Sequence, residues 1–243
     1  MTAPHFFVDP SDVRAIAAGD RLALSESDSH HALRSLRLRP GEEVTVANDL
    51  GWVGRGTLAG EREGRAVIDI REAVDVGIVR HPTVVVTLAP PKGDRLGWAV
   101  QKLAELGVDE IDLLESERTV RYPGPKVVAR LKTVAREAAM QSRQPRIARI
   151  GAWDGLHEAL VPRDGFVLML HGEASRRVAD ALPPDVARVH VLVGPEGGWS
   201  TEEIRLAEDA GAVAASLGPA ILRTETAAVV GAALVLARYG RLG

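Results

Sequence analysis

From residue 83 onward the chain alternates between short apolar, β-branched runs and segments whose apolar residues recur every three or four positions. Residues 83–89 form an unbroken run of the kind covered on both faces of a parallel sheet. Residues 94–106 follow at helical period, with Leu96, Val100, Leu103 and Leu106 on one face. The pattern repeats with strands expected over 110–114, 147–150, 166–170, 189–193 and 212–217. Helices are expected between them over 126–141, 156–160, 175–182 and 201–210, and a closing helix over 224–238. Ser200 followed by Glu203 marks a capping-box start. Strands alternating with helices at this spacing demand an α/β fold, a mostly parallel sheet with helices packed on its faces.

The stretch before this reads differently. Residues 43–47, 52–58 and 65–70 alternate apolar and polar side chains around turn signals such as Asn48-Asp49-Leu50-Gly51, and only 29–37 suggests a short helix. This is a small β-rich domain, expected as a barrel over residues 1–75, followed by the α/β domain over 76–243. With 4% aromatic residues the core must be built from Val, Leu, Ile and Ala. The chain has no cysteine, which excludes disulfides, a thiolate nucleophile and thiolate metal sites. Histidines and carboxylates fall into no ligand-spaced set, so no metal is expected. Residues 1–10 lack the apolar stretch of a signal peptide and no segment is apolar for long enough to span a bilayer, so a cytoplasmic protein without a membrane partner is expected.

A net charge of −3 hides a local excess of the other sign. Residues 116–149 carry nine Lys or Arg against Glu117 and Glu137, and His30, His31, Arg34, Arg37 and Arg39 cluster without an acidic neighbour between them. A basic strip on an acidic protein suggests a polyanion held at one face, although a solvated helix face accounts for either cluster alone.

Open parallel sheets bind ligands beyond the carboxyl ends of their strands, and three loops stand there, over 170–173, 194–198 and 217–224. The second reads Gly194-Pro195-Glu196-Gly197-Gly198 and the third Leu217-Gly218-Pro219-Ala220-Ile221-Leu222-Arg223-Thr224. No G-x-G-x-x-G follows the first strand of this half, no G-K-[ST] occurs, and no G-x-S-x-G elbow exists. Dinucleotide binding, a phosphate loop and an α/β hydrolase are therefore disfavoured.

The motif GPEGG, followed by LGPAILRTETA, resembles the ribosomal RNA methyltransferases that act on uridine N3 in small-subunit RNA, members of the trefoil-knotted SPOUT superfamily. Residues 31–41 (HALRSLRLRPG), 101–108 (QKLAELGV), 116–120 (SERTV) and 137–143 (EAAMQSR) extend the resemblance along nearly the whole chain. Trp98 and the pair Arg130-Leu131 depart from the family's commoner residues, at positions to which no chemistry is assigned. The resemblance implies a C-terminal knotted sheet, with the chain after Leu217 threaded through a loop of earlier segments, and a PUA-like N-terminal barrel that binds RNA. It implies S-adenosylmethionine as cofactor, 16S ribosomal RNA or the small ribosomal subunit as partner, and a homodimer.

Carried onto this chain, the cofactor residues would be Leu170, Gly172, Gly194, Glu196 and Gly197, with Leu217, Gly218, Ile221, Leu222 and Thr224. Leu170, Leu217, Ile221 and Leu222 would sandwich adenine, while the glycines allow close backbone approach. Methylation of N3 needs in-line positioning, removal of the imide proton and access to the base. Arg223 is the candidate cation for charge developing on the uracil carbonyls. Glu196 and Glu225 are the candidate proton acceptors. Each also has a plainer reading, Glu225 as a first-turn helix acid and Glu196 as a turn-shaping carboxylate. His31, Arg34, Arg37 and Arg39 would contact RNA, with Arg118, Arg121, Arg136 and Arg143 extending the track. The competing reading is a non-catalytic RNA-binding or ribosome-assembly protein of the same fold, which would have no need of a cofactor cradle.

Overall fold

The computed structural model describes residues 3–9, 11, 13–77, 80–119, 123–160 and 165–242. Its contacts divide the chain into two compact units, Met1–Arg80 with Ala139–Ile147, and His81–Ala138 with Ala148–Gly243. The sequence suggests one boundary, between 75 and 76; the contacts cut at 80 and also group 139–147 with the first unit.

The first unit is a five-stranded sheet of β1 (His5–Phe7), β2 (Arg21–Ala23), β3 (Glu43–Ala47), β4 (Trp52–Arg62) and β5 (Arg65–Asp75), in the order β1-β3-β4-β5-β2. β3, β4 and β5 form an antiparallel meander, with β1 parallel to β3 and β2 antiparallel to β5. β4 shifts register against β5 at Arg55/Gly56 and at Leu58/Gly60, irregularities of the kind that bend and twist a strand. At Gly56 a Cβ would lie 2.1 Å from the Asp69 carbonyl oxygen, so the first of them tolerates no side chain. Phe6, Ile16, Leu24, Val46, Leu58 and Ile68 pack together inside, each contributing about 1.5–3 kcal/mol by burial. α1 (Glu26–His30) starts where the Ser25 hydroxyl accepts the Asp28 N–H, and one wider π turn continues it over His31–Ser35. The short helix expected over 29–37 therefore begins and ends earlier. β1 and β2 are not apparent from pattern, because three residues are too few for alternation to register and β1 is buried throughout.

His5 on β1 is only 5% exposed. Its Nε2 lies 3.2 Å from the Gln144 carbonyl oxygen and its Nδ1 2.8 Å from Thr45 Oγ1. A carbonyl can only accept, so the neutral ring carries its proton on Nε2 and accepts from the Thr45 hydroxyl. Burial, opposed by the hydrogen bond to Gln144 and reinforced by the charge of Arg143, pushes the pKa down from 6.5 to about 4. Between these values the unfolded chain binds more protons than the folded one, so stability is lost as pH falls from 6.5 towards 4. Urea denaturation should give an unfolding free energy about 2 kcal/mol lower at pH 5 than at pH 7 from this group alone. His5→Phe should flatten that difference, and an unchanged pH dependence in the variant would assign it to other groups.

The second unit is a six-stranded sheet of β6 (Thr83–Leu88), β7 (Glu110–Leu114), β8 (Arg149–Trp153), β9 (Phe166–Leu170), β10 (Arg188–Val193) and β11 (Val213–Ala215). Every pairing is parallel and the order is β11-β9-β10-β6-β7-β8. Its helices are α2 (Arg95–Glu105), α3 (Pro125–Ser142), α4 (Leu156–Leu160), α5 (Val178–Ala181), α6 (Thr201–Asp209) and α7 (Thr224–Arg238). β6 lies in the middle of the sheet with Val84, Val85, Val86 and Leu88 buried, as its unbroken apolar sequence requires. α2 buries Leu96, Ala99, Val100 and Leu103 on one face. α7 buries Ala228, Ala232, Val235 and Leu236 and packs against β6, β10 and α2. Beyond α7, Arg241 forks onto the Asp109 carboxylate at 2.6 Å and the carbonyls of Pro82 and Gly107, which fastens the chain end beneath β6 and β7.

The strand order determines where a ligand can bind. From β6 the chain steps outward through β7 and β8, then crosses to the other side for β9, and β10 enters between β9 and β6. The direction of winding reverses between β6 and β10, and in such sheets the crevice at the carboxyl ends of the reversing strands is the binding place. The helix expected over 175–182 is one turn, because Arg177 instead bridges in parallel to Ser216 beside β11. The strand expected over 147–150 begins at Arg149, and the one over 212–217 is three residues long.

Candidate active site at the carboxyl edge of the parallel sheet

The loop at 194–198 leaves β10 and enters α6 through a full capping box. Ser200 Oγ accepts the Glu203 N–H at 3.1 Å and Glu203 Oε2 accepts the Ser200 N–H at 2.8 Å. The other oxygen of Glu203 accepts the Glu117 N–H at 3.1 Å, which ties the segment after β7 to the same helix start. Trp199 is buried, and its Nε1–H donates to the Leu170 carbonyl at 3.0 Å, joining this loop to the end of β9. A Cβ at Gly194 would lie 2.9 Å from the Trp199 ring, so the glycine there is demanded by packing within the chain. Arg118 Nη1 donates to the carbonyls of Gly197 at 2.8 Å and Trp199 at 3.3 Å, clamping the loop from its outer side.

The third loop is held as firmly at both ends. Ser216 N–H donates to the Arg176 carbonyl at 2.8 Å, and the Thr224 hydroxyl at the start of α7 donates to the Gly194 carbonyl at 3.0 Å. The His171 N–H donates to the Ala215 carbonyl at 3.0 Å, linking the first loop to β11. Gly218 has φ +117°, a conformation that excludes side chains. Three segments distant in sequence thus meet as one cross-bonded edge. Within it, the backbone amides of Gly197, Gly218, Ile221 and Leu222 make no hydrogen bond among the described residues. Loop amides without internal partners, next to glycines, are donors available to a ligand.

Charge gathers on one side of this edge. Arg95 Nη1, at the start of α2, is 3.0 Å from Glu196 Oε1 and 3.8 Å from Glu225 Oε1. The Glu225 side chain is only 8% exposed, and its Oε2 is buried without a hydrogen-bond partner among the described residues. Arg223, the residue before α7, is exposed and makes neither a cap bond nor an ion pair among the described residues. A buried carboxylate with one unused oxygen and a free guanidinium two residues away can receive a proton and offset an anion. Among the described residues no group of three or more His, Asp or Glu could hold a metal ion.

A family model described as an RNA methyltransferase domain matches residues 79–236, well over half of the chain. The chain belongs to this RNA methyltransferase family. A second model, described as an RNA methyltransferase PUA domain, matches residues 24–71 of this methyltransferase. It is 35% identical to the ribosomal RNA small subunit methyltransferase E of Mycobacterium tuberculosis, over 95% of this chain and 90% of that one. It is 25% identical to the protein of that name from Bacillus subtilis, over 84% of this chain and 85% of that one. The crystal structure of the corresponding Neisseria gonorrhoeae protein, bound to S-adenosyl methionine, superposes with a TM-score of 0.86 at 27% identity and 98% coverage of both chains.

The carboxyl edge of the parallel sheet carries the loop residues singled out from the sequence, at differing exposure. Leu170 is buried at the end of β9, Leu217, Gly218 and Leu222 are half-buried, Thr224 is buried, and Gly172 and Gly197 are exposed. Ile221 is fully exposed. Arg118, read from the sequence as an RNA contact, donates from its guanidinium to the carbonyls of Gly197 and Trp199. Arg34, Arg37 and Arg39 are exposed in the first unit without ion pairs among the described residues, and His31 stacks edge-on to Phe6 at 6.4 Å. Arg136 is half-buried on α3, and Arg143 donates to the Ala3 carbonyl. Arg121 lies outside the described residues. Sequence reasoning assigns no chemistry to Arg95, reads Trp199 as a core or pocket-edge residue and reads Glu203 as a helix cap. The signals are local ones, the capping-box spacing for Glu203 and, for Arg95, its place at the opening of the helix after the first strand of the parallel sheet.

Proposed function

We propose that this chain transfers a methyl group from S-adenosylmethionine to N3 of a uridine in small-subunit (16S) ribosomal RNA. The observation that carries the reading is the group of unbonded loop amides from Gly197 to Leu222, set beside a buried carboxylate with one unused oxygen. A non-catalytic RNA binder of the same fold has no use for either. Family membership and the cofactor bound by the Neisseria relative support the same conclusion.

The residues present fit that cofactor. Loop amides suit its ribose and carboxylate oxygens, and Leu170, Leu217 and Leu222 offer apolar surface to adenine. The cofactor supplies an electrophilic methyl group on a sulfonium. The chain must place N3 in line with it, accept the imide proton and offset charge on the uracil oxygens. Glu225 is the better proton acceptor, because its Oε2 has no hydrogen-bond partner among the described residues, whereas Glu196 takes the shorter contact from Arg95, 3.0 Å against 3.8 Å. Arg223 supplies the positive charge to O2 or O4.

Residues 1–75 act as the RNA-binding domain and 76–243 as the methyltransferase domain. Exposed Arg34, Arg37 and Arg39 make phosphate contacts, which position RNA without reading its sequence. The segment after Leu217 is read as threaded into a trefoil knot, supported by the placement of β10 inside β9 and by the Thr224 bond back to Gly194. Trp98 and Leu234 are exposed on the mutually packed α2 and α7, an apolar surface suited to a second copy in a homodimer. A ribosomal substrate places the work in the cytoplasm. Mass spectrometry of small-subunit RNA from cells lacking the gene should show loss of one N3-methyluridine, restored by the purified chain and cofactor. An unchanged methylation pattern would overturn the reading.

A further inference from the structure

We infer that Arg95 is a positioning residue for methyl transfer: its guanidinium holds the loop at 194–198 in register with the start of α7 by bridging Glu196 and Glu225. The inference rests on the methyltransferase reading and assigns a residue outside both glycine-rich motifs.

Geometry carries it. Arg95 lies 101 positions before Glu196 in sequence, yet its Nη1 sits 3.0 Å from one carboxylate and 3.8 Å from the other. Glu196 lies in the loop after β10 and Glu225 in the first turn of α7, and the Thr224 hydroxyl on the Gly194 carbonyl ties the same two segments. That bond fixes the base of the loop and Arg118 holds the Gly197 carbonyl, while the Glu196 side chain takes its hydrogen bond from Arg95. Arg95 opens α2, which buries Leu96, Ala99 and Val100 and packs against α7, so it presents its charge from a rigid element. It engages the Oε1 side of Glu225, and the buried Oε2 has no hydrogen-bond partner among the described residues. Both contacts run through the one Nη1, held in place by the planar guanidinium, whereas a lysine ammonium is a point charge on a flexible stem. The bridge is 41% exposed at Arg95, so its worth lies in orientation more than in folding stability.

The test is a double-mutant cycle read by calorimetry with S-adenosylmethionine and by steady-state kinetics on small-subunit RNA. Arg95→Ala should weaken cofactor binding about tenfold and lower kcat by a further tenfold, with KM for RNA unchanged and thermal unfolding little altered. Arg95→Lys should recover only part of the loss. Glu196→Gln in the Arg95→Ala background should add almost nothing, because the contact it removes is already gone. Independent, additive losses, or a wild-type level of binding and turnover in Arg95→Ala, would overturn the bridge and leave the methyltransferase reading standing. Failure of the unmodified chain to bind the cofactor would overturn both.

Discussion

Arg223→Ala is expected to slow methyl transfer by about 10²–10³-fold, the usual cost of removing one preorganised group that meets developing charge. Cofactor affinity should stay within about twofold, since the nearby donors are backbone amides that the substitution leaves in place. The structure makes this a clean experiment. Arg223 precedes α7 with extended backbone, its side chain makes no cap hydrogen bond, and it forms no ion pair among the described residues. Its removal therefore breaks nothing that holds the loop. Single-turnover rates at saturating RNA and cofactor, beside calorimetry of the cofactor alone, separate the two effects. Arg223→Lys should restore part of the rate, because it keeps the charge but loses the planar pair of donors. An undiminished rate would remove Arg223 from the chemistry, and an equal loss in cofactor affinity would move its role to binding.

Much of the second unit is readable from pattern because burial on two faces leaves a strong imprint. Glu110–Leu114, Leu156–Leu160, Phe166–Leu170 and Thr224–Arg238 stand where periodicity puts them. The short elements do not, since three residues of β1 or one turn of α5 leave no period to detect. The site divides in the same way. The two glycine-rich loops are visible because backbone that approaches a ligand must shed its side chains. The bonds that lock them are not, because Arg95 to Glu196, Arg118 to Gly197 and Trp199 to Leu170 join residues 101, 79 and 29 positions apart. Nothing local in a sequence announces a partner at such a distance. Gly194 is the instructive case. Its lack of a Cβ reads as room for a ligand, yet the atom in the way is the buried indole of Trp199.

Gly197 is the opposite case, and its substitution is the sharper test of the cofactor cradle. A Cβ there would meet only Arg118 Cδ at 3.6 Å and Cβ at 3.7 Å, ordinary contacts that the chain tolerates without strain. Gly197→Val should therefore fold with a melting temperature close to that of the unmodified protein. If the loop amides hold the methyl donor, the branched side chain occupies the space the donor needs, and affinity should fall by 100-fold or more, about 2.7 kcal/mol. Gly194→Ala should instead destabilise the fold by about 1–3 kcal/mol through its clash with Trp199, whether or not cofactor is present. Comparing the two by thermal unfolding and calorimetry distinguishes a glycine kept for the ligand from one kept for the core. Normal cofactor affinity in Gly197→Val would mean that the donor lies elsewhere along the sheet edge, and the unbonded amides of this loop would need another occupant.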